Sequence, residues 1–251
     1  MARASEMSFW DHLDALRGTL IHMCVILAAC FCIAFYFTPM LFNKVILAPC
    51  SHTFFIYHLF PQKNDVKLIN INLTDQFMTH MNTAFWIALI VCAPLLLWQL
   101  WLFIRPALYP KERNYVMTAF GMGMILFYIG VAVSYFFVFP ITLRFLINYD
   151  LSDQIINTLS FGSYISNFMM MMLVMGLVFE MPLVTWLLAM FGIIKKWMLK
   201  KYQRHAIVAI FVVAAVITPT GDPFTLTIVA LPLVLLYELS ILVIKDKKED
   251  T

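Results

Sequence analysis

The sequence predicts an all-α, polytopic membrane protein with six transmembrane helices, on three observations. Hydrophobic residues make up 63% of the 251 and charged residues 12%, against about 45–50% and about 25% in soluble domains. Apolar runs recur along the chain, most reaching the roughly 20 residues that cross about 30 Å of hydrocarbon. No Lys or Arg falls inside any of these runs.

The runs lie at Thr19 to Met40, Phe77 to Ile104, Val116 to Phe139, Tyr164 to Met190, His205 to Ile217 and Phe224 to Ile244. Together they read as a single integral membrane domain over 1–251. The first is too long for a signal-peptide core and no small-residue cleavage site follows it, so it is expected to remain in the mature protein. Positively charged loops are retained in the cytoplasm. The N-terminus, the loops after the second and fourth runs, and the C-terminus hold 13 of the 17 Lys and Arg. Lys44, Lys63, Lys67 and Arg144 fall on the other side. Both termini are therefore expected in the cytoplasm, in an N-in/C-in arrangement.

The fifth run has only 13 residues, about 20 Å of helix, which is shorter than the hydrocarbon layer. Residues 205–244 are accordingly expected to form a short hairpin that thins the bilayer or is covered by a partner. Its turn, Thr218-Pro-Thr-Gly-Asp222, has the Pro and Gly of a tight connection. The first exported loop, 43–76, stays apolar and aromatic as far as Phe60, which predicts a structured cap. Ile141 to Ser163 is expected as a second exported loop. Before the first span, Phe9, Trp10, Leu13 and Leu16 fall at helical spacing among charged residues. Residues 1–18 thus read as a cytoplasmic interfacial helix.

The net charge of +3 is too small and too dispersed for a nucleic-acid surface. Of the five cysteines, Cys24, Cys30, Cys32 and Cys92 fall inside apolar runs, where they read as small buried hydrophobes. No CxxC pair, no HExxH and no GxSxG elbow is present, so neither a zinc site nor a hydrolase is supported, and no cofactor is expected. The six histidines are scattered and read as core or interface residues. Met169 to Met172 form a soft patch, read first as helix packing and more sharply as a surface for varied partners.

Glu180 is the most informative residue. It stands near mid-depth of the fourth run, where a carboxylate costs a few kcal/mol to insert and tends to face a cavity or a partner. Pro182, two residues on, cannot donate its N–H and opens the helical ladder. With no basic residue in any span, Glu180 is expected to be neutral, able both to donate and to accept a hydrogen bond. Glu238 lies close to the cytoplasmic end of the sixth run. Glu112 lies in the second cytoplasmic loop between Lys111 and Arg113.

Several blocks then coincide in order: His12-Leu-Asp-Ala-Leu-Arg17, Ala48-Pro49, Phe103-Ile-Arg-Pro-Ala-Leu-Tyr-Pro-Lys-Glu-Arg113, Phe179-Glu-Met-Pro182 and Thr218-Pro-Thr-Gly-Asp222. With them the chain resembles, from about Ser8 to Ile244, the TatC family, the receptor and core subunit of the twin-arginine protein translocase. The resemblance implies a curved bundle whose concave face receives partner helices, in a bacterial-type cytoplasmic membrane. It implies export of folded proteins with the proton-motive force and no enzyme activity. Its partners would be single-span TatA/TatB-type proteins and twin-arginine signal peptides, in an oligomeric complex.

By that resemblance Glu112 contacts the signal peptide's arginines, with Phe103 and Pro106 shaping the loop and Asp14 and Arg17 on the N-terminal side. A carboxylate matches the planar fork of an arginine and can hold it bidentately. Glu180, Pro182, Pro49, Asp222 and Glu238 would serve partner binding and translocation, the last three matching family positions in the cap, the exported turn and the end of the sixth helix. One position departs from the pattern. The family's usual N-terminal glutamate is Ala15 here, with Asp14 beside it. A one-residue shift turns a side chain by about 100° on a helix, which leaves more of the arginine site to Glu112. The alternative is a proton- or ion-coupled small-solute transporter with Glu180 as the coupling site. Against it stand the lack of repeat symmetry and the single acid near mid-membrane.

Overall fold

Where water is absent, a backbone must satisfy its own hydrogen bonds, and for uninterrupted apolar runs that means helices. The computed structural model describes the backbone of residues 9–58, 66, 68–70, 73–104, 110–149, 159–218 and 221–244, and their side chains except at 9–12, 58, 104 and 110–115. The helices are α1 (Phe9–Leu41), α2 (Asp75–Ile104), α3 (Pro110–Val133), α4 (Phe139–Ile147), α5 (Phe161–Val178), α6 (Met181–Met190), α7 (Lys196–Lys201), α8 (Gln203–Ile217) and α9 (Pro223–Val243). Among the described residues, five segments are long and apolar enough to cross a membrane, and α8 is a shorter apolar helix. The 15 residues of α8 reach about 22 Å. Of the expected interfacial helix over 1–18, residues 9–18 belong to α1, which continues from Phe9 into the span without a break, and residues 1–8 lie outside the described residues.

Prolines interrupt the ladders, and at two of them, Pro39 and Pro94, a neighbouring helix supplies the missing donor. Pro39 in α1 removes the donor that would serve the Phe35 carbonyl. His80 of α2 places Nε2 at 3.1 Å from that oxygen, its ring stacked on Phe35 with centroids 4.1 Å apart. Pro94 does the same to the Ile90 carbonyl in α2, and the Tyr128 hydroxyl of α3 donates to the oxygens of Ile90 and Val91 at 3.3 and 3.2 Å. Polar side chains thereby lock α1 to α2 and α2 to α3, where an unpaired carbonyl in hydrocarbon would be costly.

The third run does not end at Phe139 as expected. A π-helical turn at Ser134–Val138 lets the chain enter Pro140 and continue as α4 to Ile147. The expected loop 141–163 is thus helical in its first part. The fourth run is broken rather than continuous: α5 stops at Val178, and the Phe179–Glu180 turn leads to α6 with Pro182 in its first turn.

At one end lies a cap. A π turn at Phe42–Ile46 and short 3-10 turns at Ala48–Cys50 and Phe55–His58 fold back over the bundle. β1 (Leu68–Ile69) pairs in parallel with β2 (Leu159–Ser160), Leu68 opposite Leu159, a small exception to an otherwise helical chain. The Tyr164 hydroxyl donates to the Ile46 carbonyl, and the Tyr57 hydroxyl to that of Pro49 at 2.8 Å. Arg144, buried at 6% exposure, donates to the Cys50 carbonyl at 3.4 Å with its guanidinium 4.3 Å from the Tyr57 ring centroid.

The core runs along α5, whose Tyr164, Ile165, Phe168, Met169, Met171, Met172 and Met175 are all buried. The methionine patch is therefore mainly packing, with Met170 outside it at 36% exposure. Cysteines divide in a way that hydropathy does not reveal. Cys92 and Cys50 are buried, but Cys24 and Cys32 are exposed, because α1 touches the bundle along one side only and presents its remaining apolar side chains outward. At the end opposite the cap, Trp101 of α2 and Val116 and Phe120 of α3 are buried beside Leu187 and Met190 of α6.

Candidate functional site

The predicted residues fall in three places rather than one. The first is the end opposite the cap. Phe103 is half-buried in the last turn of α2 and Glu112 stands in the first turn of α3. Pro106 and the Glu112 side chain lie outside the described residues. The junction is carried on a fixed base, since Trp101 is 1% exposed and its ring packs against Phe120 at 5.5 Å between centroids. Asp14 and Arg17 are exposed, one turn apart on α1. Asp14 precedes Phe35 by as many residues as Trp101 follows His80, about 31 Å of helix in each case. Since Phe35 and His80 touch, Asp14 lies at the depth of Trp101. Ala15 is exposed as well.

The second place is the break between α5 and α6. Pro182 has no N–H to return to Val178, and the ladder reforms only when the Val184 amide reaches the Glu180 carbonyl at 2.9 Å. Pro182 itself is buried. The Glu180 side chain is directed at α3, where Gly123 provides the room. A Cβ at Gly123 would stand 2.7 Å from Oε2 and 3.3 Å from Oε1 of Glu180, and 2.6 Å from Cδ2 of Leu183. Glu180 Oε1 is buried and accepts no hydrogen bond among the described residues. A half-buried carboxyl with one oxygen enclosed and unserved, at a helix break inside a span, is costly to keep there, and ionisable groups so placed tend to mark function. Glu112 precedes Gly123 by 11 residues on α3, so the two acids differ in depth by about 16 Å.

The third group is structural in its visible contacts. Pro49 is buried in the cap, where its carbonyl accepts from Tyr57. Asp222 caps α9, its Oδ1 accepting from the Thr225 amide at 2.8 Å. Glu238 of α9 accepts from Nε2 of Gln203 on α8, and the Tyr237 hydroxyl donates to the Leu199 carbonyl at 2.8 Å. The α8–α9 hairpin is thus fastened at the end away from its turn, and Asp222 caps the start of α9 at the turn.

Sequence reading missed Gly123, Gln203, His80 and Tyr128. A signal existed for the glycine. Gly123 and Gly130 are two helical turns apart in an apolar run and so share one face, and small residues let helices approach closely; a Cβ at Gly130 would stand 2.6 Å from the Met175 carbonyl oxygen. On the side of α3 that bears Tyr128, an apolar hollow of about 320 Å³ opens between α1, α2, α3 and α5, lined by Leu41, Ile87, Tyr135 and Met172 among others.

A family model described as Sec-independent protein translocase protein (TatC) matches residues 11–232. A Sec-independent protein translocase protein TatC of Koribacter versatilis is 36% identical over 235 residues, 94% of this chain and 84% of that protein. One of Carboxydothermus hydrogenoformans is 33% identical over 239 residues, 95% and 93% of the two chains. A crystal structure of a twin-arginine translocase receptor, TatC, superposes with a TM-score of 0.75 at 32% identity, covering 92% of this chain and 96% of that one. A second, in the detergent DDM, gives 0.78 over 93% and 99%.

Proposed function

We propose, for a chain that belongs to the TatC family of Sec-independent protein translocase proteins, a receptor that reads signal peptides at one membrane surface and docks a partner helix at Glu180. The chain is a multi-pass membrane protein of the twin-arginine translocase. The observation that carries the receptor reading is the likeness to solved twin-arginine translocase receptors over more than nine-tenths of both chains. The small-solute transporter is set aside on the same ground.

In this reading the membrane is the cytoplasmic one and both termini are cytoplasmic, which is supported by the distribution of Lys and Arg. The α2–α3 junction then faces the compartment where a cargo protein folds. Glu112 takes a signal-peptide arginine in a charge-assisted pair, with Phe103 and Pro106 shaping the junction. Asp14 and Arg17 border it from α1. The lack of a carboxylate at Ala15 supports Glu112 as the main acid.

Glu180 acts at a different depth. Its place at the α5–α6 break inside a span, with the residue only partly buried, supports docking of a polar side chain from a single-span partner of the TatA/TatB type. Within hydrocarbon such a bond replaces nothing that water would supply, and is worth about 0.6 to 2 kcal/mol. Pro49, Asp222 and Glu238 support the scaffold: the cap, the α8–α9 turn and the far end of the hairpin hold the bundle in the shape the partner meets. No bond is made or broken by the receptor itself.

The test is binding of purified protein to a fluorescent twin-arginine signal peptide, beside a twin-lysine peptide of equal charge. Preference for the arginine peptide is expected. Equal binding of both would contradict the receptor reading.

A further inference from the structure

The segment between α6 and α8 has a composition unlike the rest of the chain. From Gly192 to His205 it carries Lys195, Lys196, Lys200, Lys201 and Arg204 and no Asp or Glu. Lys195, Lys200, Lys201 and Arg204 are exposed. Trp197 and Tyr202 are half exposed, at 55% and 50%, and Ile193 beside them is 61% exposed. Lys201 Nζ stands between the two rings, 5.7 Å from the Trp197 centroid and 5.8 Å from that of Tyr202.

These groups are held at a fixed height. α6 ends in a Schellman turn, with Gly192 at φ 76° and the amides of Gly192 and Ile193 returning to Ala189 and Leu188 at 3.0 and 2.9 Å. Beyond it, Tyr237 of α9 grips the Leu199 carbonyl and Glu238 grips Gln203. Glu238, the nearby acid on α9, is thereby engaged with Gln203. α8 falls about 8 Å short of a 30 Å hydrocarbon layer, so its first turn, with Arg204, is drawn toward the headgroups. Trp and Tyr prefer that same depth, with ring bodies in the acyl boundary and polar edges in water.

We propose that α7 and the first turn of α8 bind the phosphate groups of anionic phospholipids in the leaflet they face, with Lys200, Lys201 and Arg204 as the principal contacts. Each cation at a membrane surface contributes to anionic-lipid binding, within a screening length of about 8–10 Å. Both ends of the segment are tied to membrane helices, and its exposed apolar and aromatic side chains suit a lipid surface better than an acidic soluble protein. The headgroup contact also fits the short α8: cations that hold phosphate groups at this level keep the leaflet thin beside it.

The test uses the full chain in lipid-protein mixtures, with native mass spectrometry counting retained phosphatidylglycerol and phosphatidylcholine. The unaltered protein is expected to retain phosphatidylglycerol preferentially, and Lys200→Gln/Lys201→Gln/Arg204→Gln to weaken that retention about tenfold or more. Lys200→Arg/Lys201→Arg, which keeps the charge, is expected to retain it. Lys245→Gln/Lys247→Gln/Lys248→Gln removes equal charge from the C-terminal tail and is expected to change retention less than twofold. Equal retention of the two lipids, or an equal loss from the tail variant, would overturn the proposal. So would displacement by glycerol phosphate at the concentrations where the lipid binds, which would identify a free phosphate as the ligand.

Discussion

Alanine at Gly130 would place its Cβ 2.6 Å from the Met175 carbonyl oxygen and 2.8 Å from Cβ and Cγ of Phe179. The carbonyl oxygen is backbone and the Phe179 Cβ is held by the backbone, so α3 and the end of α5 must move apart. Overpacking of that kind costs about 1–3 kcal/mol, or roughly 2–4 °C in melting temperature per kcal/mol for a chain of this size. Alanine at Gly123 meets only side-chain ends, Leu183 Cδ2 at 2.6 Å and Glu180 Oε2 at 2.7 Å. These can rotate away at about 0.5–1.5 kcal/mol if they leave a rotamer well, partly offset by the gain in helix propensity. The Glu180 carboxyl, however, is displaced from its seat. Gly130→Ala should therefore lose stability, whereas Gly123→Ala should fold nearly normally and lose partner docking. Gly121→Ala, where nothing lies within 4 Å, serves as the neutral control. Thermal unfolding in detergent and crosslinking of the fourth span to a single-span partner measure the two effects. A Gly123→Ala protein less stable than Gly130→Ala, or one that docks the partner normally, would refute the reasoning.

Three further outcomes are expected. Tyr128→Phe leaves the Ile90 carbonyl without its donor and should cost about 0.6–1.7 kcal/mol. The loss should shrink in a Pro94→Ala background, where a backbone amide returns, and the double-mutant cycle in unfolding free energy measures this. Glu180→Gln, which still offers a donor and an acceptor, should retain much of the partner crosslinking, while Glu180→Ala weakens it by about 0.6–2 kcal/mol. Neither should alter signal-peptide affinity, given the separation in depth from Glu112; loss of export in both variants with crosslinking intact would replace docking with proton handling. Ala15→Glu, at an exposed position, should insert normally and tighten signal-peptide binding in a fluorescence titration.

Much of the fold was legible because hydrocarbon leaves the backbone few choices. Six apolar runs without Lys or Arg announce the helices, and the Glu180–Pro182 pair announces the break in the fourth. What hydropathy could not carry is pairing. That His80 serves the carbonyl freed by Pro39, or Tyr128 the one freed by Pro94, depends on which helix faces which. The same ignorance hid Gly123: its lack of a side chain matters because Glu180 and Leu183 lie opposite. The third apolar run ends at Phe139 in the sequence, whereas a π turn upstream lets the helix pass through Pro140 and go on to Ile147. Cys24 and Cys32 were misplaced because a span is apolar on its lipid side as well as its core side. Glu112, by contrast, stands out only through the motif around it; a glutamate between Lys and Arg is otherwise an ordinary solvated acid.

The receptor account meets its most direct test at the α2–α3 junction. A photoreactive amino acid placed in turn at Phe103 and at Lys111, in otherwise unaltered protein, should crosslink a twin-arginine signal peptide and label a twin-lysine control far more weakly. Adding Glu112→Ala should reduce peptide affinity by about 10- to 150-fold, the equivalent of a charge-assisted pair worth about 1.5–3 kcal/mol. Equal labelling by both peptides, or unchanged affinity without the Glu112 carboxylate, would contradict the account.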